Sequence, residues 1–178
     1  MINNINKKQI DFINHEFGVD VSKVTLIQKT LGNKTLGLYQ TGEKGTISID
    51  PENLSKYPEA YGYLTIMHEL FHLLQFEYDV TLSLDLKRHD AEFYYYACED
   101  QGWNEKALEV DARFFEIYYL WKLNSLSKDK LLHYGRYIFQ NKVTDKLEFC
   151  AFCLDNKEFK SLIDEMIDSM RSDESIAI

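Results

Sequence analysis

Thr65-Ile66-Met67-His68-Glu69-Leu70-Phe71-His72-Leu73-Leu74 is the stretch that decides how this chain is read. Two imidazoles and a carboxylate interrupt an apolar run. Residues four apart on a helix share a face, so His68 and His72 can grip one ion while Glu69 sits beside it. From about Glu59 to Tyr78 the sequence is apolar on most sides, which predicts a buried central helix. In such surroundings every extra charge would need its own partner, and Ile66, Leu70, Phe71, Leu73 and Leu74 bring none. The bland alternative has two buried histidines satisfied by neighbours and Glu69 turned to water. It must account for three polar side chains separately, whereas one cation and its water account for all three together.

H-E-x-x-H on a helix is the pattern in which two histidines hold zinc and the glutamate serves as general base. A catalytic zinc takes three protein ligands and keeps one position for water. No H-x-x-G-x-x-H extension follows His72, since the chain continues Leu73-Leu74-Gln75-Phe76-Glu77. The third ligand is therefore expected on a later helix, from among His89, Glu92, Glu99, Asp100, Glu105, Glu109, Asp111 and Glu116. Glu109 is favoured. It falls early on a helix expected from Glu105 to about Leu123, with Asn104 as N-cap. Ala112, three residues on, shares its side and is small enough to admit a close helix, although Leu108, Val110, Phe114 and Phe115 around it are large. Asp111 is the second choice.

His68-Glu69-x-x-His72 followed by Glu109-x-x-Ala112 resembles the gluzincin metallopeptidases, whose third ligand lies in an E-x-x-A-D or E-x-x-A-N helix. The order of strands, metal helix and glutamate helix resembles the small ImmA/IrrE-type metallopeptidases, over roughly Thr35 to Leu120. The resemblance implies a zincin-like α+β fold. It also implies that the Ile47-Ser48-Ile49-Asp50 strand is the edge that holds an extended substrate. The chain departs from the pattern at Arg113, where the family has Asp or Asn. The partner that would orient a histidine ligand is thus left to Asp111 or another carboxylate such as Glu105.

Working outward, Ile10, Phe12, Ile13 and Phe17 predict an opening helix over Lys7 to Phe17, stopped by Gly18. Val21 to Lys29, Thr35 to Gln40 and Thr46 to Asp50 read as three strands. The turns at Leu31–Lys34 and Thr41–Gly45 favour an antiparallel meander. Asp50-Pro51-Glu52-Asn53 breaks the pattern. Asp79 to Arg88 is ambiguous, and alternating Leu82, Leu84 and Leu86 suggest a strand or extended loop. Helices are expected over Asp90–Asp100, Lys128–Gln140 behind Ser127, Asp145–Leu154 and Lys157–Met170, with Ser172 to Ile178 frayed.

At 178 residues and 45% hydrophobic content the chain reads as one domain with a real core, spanning 1–178. Its net charge of -9, without a basic stripe, argues against a nucleic-acid partner and against anionic membranes. No secretory signal and no transmembrane run are read, and three cysteines do not suggest a disulfide framework, so a cytoplasmic protein is expected. Abundant Asn, Lys and Ile suggest AT-rich bacterial or phage coding. Cys150-Ala151-Phe152-Cys153 reads as a buried helix face, with Cys98 apart from it. His15 and His133 read as structural or exposed.

The expected function is a zinc-dependent metallopeptidase acting on a protein or peptide. His68, His72 and Glu109 would be ligands of Zn2+, and Glu69 the general base for metal-activated water. Tyr61, Tyr63, Tyr94-Tyr95-Tyr96, His133 and Tyr134 are the candidates to steady the oxyanion. The alternatives are a zincin-like metal-binding regulatory or interaction module without proteolysis, and a helical interaction protein without metal.

Overall fold

The computed structural model describes residues 5–40, 45–78, 80, 82, 107–139 and 156–174. Among them are six helices and three short strands, an α+β arrangement that is mostly helical. The chain divides into two compact units, Met1–Val80 and Thr81–Ile178.

In the first unit, α1 covers Lys7–Phe17, as the apolar spacing predicts. Asn6 and Gln9 form a reciprocal capping box at its start, and Gly18 takes the left-handed C-cap at φ 67°. Gln9 is buried, and its Nε2 donates to the Tyr63 carbonyl at 3.0 Å, which ties α1 to the central helix.

The strands are β1 (Thr25–Gln28), β2 (Gly37–Tyr39) and β3 (Thr46–Ile49). Their order, β1-β3-β2, corrects the expected antiparallel meander. β3 pairs parallel with β1 and antiparallel with β2, so the sheet is mixed. The physical reason is burial. Ile47 and Ile49 are almost wholly enclosed, so the most deeply buried strand takes the centre, while β2 has only three residues and both ends of β1 are exposed. Turn residues mark where the chain bends, not which strand it bends beside. The β1–β2 link turns through three successive positive-φ residues, Gly32, Asn33 and Lys34.

Asp50-Pro51-Glu52-Asn53, expected only as a break, opens a short helix α2 (Pro51–Leu54). Asp50 caps it, accepting from Asn53 N at 3.0 Å, with proline at the first position, where its missing N–H costs nothing. The other Asp50 oxygen accepts from Leu31 N at 2.8 Å, which anchors the β1–β2 link. Helix α3 then runs over Glu59–Tyr78, matching its expected limits, and packs on β2 and β3.

The second unit holds α4 (Ala107–Lys122), α5 (Lys128–Phe139) and α6 (Lys157–Glu174). Val110, Phe114 and Ile117, at helical spacing on α4, meet Leu131, Ile138 and Phe139 of α5 and Phe159, Ile163, Met166 and Met170 of α6 in one core. Asn156 caps α6 by accepting from Phe159 N at 3.0 Å. Fraying from Ser172 was expected, but α6 continues to Glu174, and Ser172 Oγ donates to the Ser169 carbonyl at 2.8 Å. The apolar periodicity ends at Met170, but the helix does not stop there.

The expectations for Leu84 and Leu86, for the helices over 90–100 and 145–154, and for Asn104 fall outside the described residues. So do His89, Glu92, Glu99, Asp100, Glu105, Tyr94-Tyr95-Tyr96, Cys98, Cys150 and Cys153. Among the described residues, no helix is long and apolar enough to cross a membrane.

Candidate metal centre

Helix α3 brings His68 and His72 together because they lie one turn apart. The rings meet edge to face with centroids 4.7 Å apart, and the two Nε2 atoms are separated by 3.0 Å. Two imidazoles on one tetrahedral zinc, with bonds of about 2.0–2.1 Å, hold their nitrogens roughly 3.3 Å apart. A small ring rotation closes the difference. His72 is buried and His68 half-buried.

Gln75, which the sequence reading did not single out, meets the His72 ring. It is buried, and its Oε1 lies 2.8 Å from His72 Nδ1. A carbonyl oxygen only accepts, so Nδ1 carries the hydrogen and the Nε2 lone pair of His72 is turned towards His68. Gln75 was legible as a polar residue inside an apolar run, three positions after His72.

Glu69 is buried beside the pair and tied to the sheet. Its Oε2 accepts from the Tyr39 amide at 2.8 Å. The register explains why that amide is available. Asp50 N donates to the Leu36 carbonyl at 2.9 Å, and in an antiparallel ladder alternate residues turn away from the partner strand. Leu36 and Leu38 thus bond towards β3, and the amides of Gly37 and Tyr39 point outward. This corrects the expectation that Ile47-Ser48-Ile49-Asp50 forms a substrate-holding edge. β3 is paired on both sides, and the outer strand beside Glu69 is β2.

Gly37 makes that approach possible. A Cβ there would stand 2.7 Å from Thr65 Cγ2 and 2.8 Å from Glu69 Cγ. Tyr39 closes the same strand onto α3. Its hydroxyl donates to Glu77 Oε1 at 2.6 Å and its ring stacks on Phe76. Burial, and then the Glu77 carboxylate, push the Tyr39 phenol well above its ordinary pKa. No residue-type pattern in the sequence marked Gly37 or the Tyr39 amide, because both act through backbone position.

In the second unit, Glu109 lies in the first turn of α4, where a carboxylate suits the helix dipole, and is 4% exposed. Ala112 follows on the same side and is fully enclosed, as is Asp111. Asp111 Oδ2 accepts from Leu82 N at 3.3 Å, so this carboxylate is engaged in holding the chain near the unit's start. Arg113 donates from Nη1 to the Ile138 carbonyl at 3.1 Å, in the last turn of α5. The position where the resembled family has Asp or Asn thus serves helix packing in this chain. Among the expected oxyanion donors, Tyr63 donates to Glu59 at 3.4 Å and Tyr134 donates to Glu116. His133 and His15 are exposed, as expected.

The chain matches no protein-family model, and comparisons with curated proteins and with solved structures give no significant match.

Proposed function

We propose that this chain is a zinc-dependent metallopeptidase of zincin-like type. His68, His72 and Glu109 are its ligand set, a group among the described residues that could hold a metal ion. One observation carries the reading: two Nε2 atoms 3.0 Å apart on a mostly apolar helix, one of them turned to its task by a buried glutamine. Glu109 adds a buried carboxylate on a helix face with a small residue beside it. Zinc, when bound, supplies polarisation of a peptide carbonyl and a more acidic water. Glu69 takes the proton of the attacking water and passes it to the leaving amine.

The test is metal content and ligand identity. The purified protein should hold about one zinc per chain, with an X-ray absorption spectrum showing two imidazoles and an oxygen donor. Glu109→Ala should weaken zinc retention. A folded, metal-free protein that takes up no zinc would remove the proposal, and unchanged affinity in the Glu109 variant would reassign the third ligand.

The second reading is a metal-binding module without proteolysis. It is favoured by the Glu69–Tyr39 bond, which gives Glu69 a structural role that requires no chemistry. Hydrolysis of an unstructured protein by the zinc-loaded chain separates the two.

A further inference from the structure

We propose that Gln75 is a positioning residue of the metal centre, acting through His72. The proposal rests on the metallopeptidase reading only for its consequence. Its geometric part belongs to the metal-free protein.

Glutamine is rarely enclosed unless its amide is used. Gln75 is 1% exposed, on the helix face that carries His72, and its Oε1 stands 2.8 Å from His72 Nδ1. An i,i+3 spacing on a helix allows this contact without distortion. The contact does two things. It fixes the hydrogen on Nδ1, leaving Nε2 as the electron-pair donor. It also holds the ring plane, so that Nε2 stays 3.0 Å from His68 Nε2. Without an acceptor at Nδ1, a neutral imidazole could place its hydrogen on Nε2, the atom a metal needs bare. Glu69, on the same helix, accepts from the Tyr39 amide.

The experiment compares Gln75→Leu and Gln75→Glu with the parent protein. Leucine keeps the bulk and removes the acceptor, whereas glutamate keeps an acceptor. Zinc affinity, read by competition with a chromophoric chelator, should fall about 10- to 100-fold for Gln75→Leu and recover in Gln75→Glu. Equal affinity in all three proteins, with the leucine variant folded, would overturn the proposal. A purely structural glutamine would lower thermal stability in both variants alike and leave zinc affinity unchanged.

A second measurement needs no variant and no metal. Nitrogen-15 spectra of the imidazoles, taken in metal-free protein at a pH where both are neutral, should show His72 protonated on Nδ1. Protonation on Nε2 would overturn the proposal even if Gln75→Leu fails to fold. If the protein binds no zinc at all, the metallopeptidase reading fails. The tautomer of His72 still decides whether Gln75 orients it.

Discussion

The main-chain amide of Tyr39 donates to Glu69 Oε2 at 2.8 Å, so the residue read as general base is also the bond between α3 and the outer strand of the sheet. The two roles divide by atom. Acceptance from an amide needs only an oxygen, whereas proton transfer needs a carboxylate.

Glu69→Gln keeps an oxygen for the Tyr39 amide and loses the base. Peptide hydrolysis is expected to fall by about 10²- to 10⁴-fold. Thermal stability and zinc content should stay near those of the parent. A variant that cleaves at the parental rate would rule out Glu69 as the base.

Gly37→Ala places a methyl group 2.7 Å from Thr65 Cγ2 and 2.8 Å from Glu69 Cγ. Neither atom is the far end of a long, flexible side chain, so α3 or β2 must shift. Overpacking of this kind costs about 1–3 kcal/mol. Denaturant titration should show the loss. On the proposed mechanism hydrolysis should fall as well, because the displaced side chain is Glu69.

Gly135→Ala tests the second unit on a balance of opposing effects. Alanine in a helix interior gains about 1 kcal/mol over glycine. Here the new methyl meets Met166 Sδ and lies 3.0 Å from its Cγ, inside the α5–α6 contact. An overpacking cost of about 1–3 kcal/mol should win. Truncating Met166 to Ala in the same protein should relieve part of it, read as non-additivity in a double-mutant cycle. Additive losses would place the strain elsewhere.

Asp50 links pH to folding. The amides of Asn53 and Leu31 hold its carboxyl below the usual carboxylate range. A depressed folded pKa contributes stability above the unfolded value of about 3.9. That contribution fades as pH falls through the folded pKa. Asp50→Asn should therefore lower stability at neutral pH and flatten the acid limb of the stability profile, with the two proteins converging at low pH. Parallel acid limbs would assign the acid sensitivity to other carboxylates.

The legible parts of the molecule were those written in local periodicity. The limits of α1 and α3 follow from apolar spacing and from Gly18, and the pairing of His68 with His72 follows from helical geometry alone. Strand order was not legible. The insertion of β3 between β1 and β2 depends on which strand buries Ile47 and Ile49 best, a property of the assembled sheet. The anchor of Glu69 was hidden for a related reason. An amide carries no residue-type signature, and Gly37 reads as any other glycine until a helix lies against it. Arg113 stood out as a departure from a motif, and only the position of the Ile138 carbonyl shows what it does instead.

The shortness of β2 bears on how the protein behaves at high concentration. An outer strand normally offers a row of bare amides to any passing chain and so invites aggregation. β2 offers three residues, and Glu69 already holds the amide of one of them. A foreign strand seeking to extend the sheet there must displace a buried carboxylate from its hydrogen bond. The same side chain thereby guards against self-association. Glu69→Ala, unlike Glu69→Gln, is expected to raise light scattering on concentration, because it leaves the Tyr39 amide open to a neighbouring molecule.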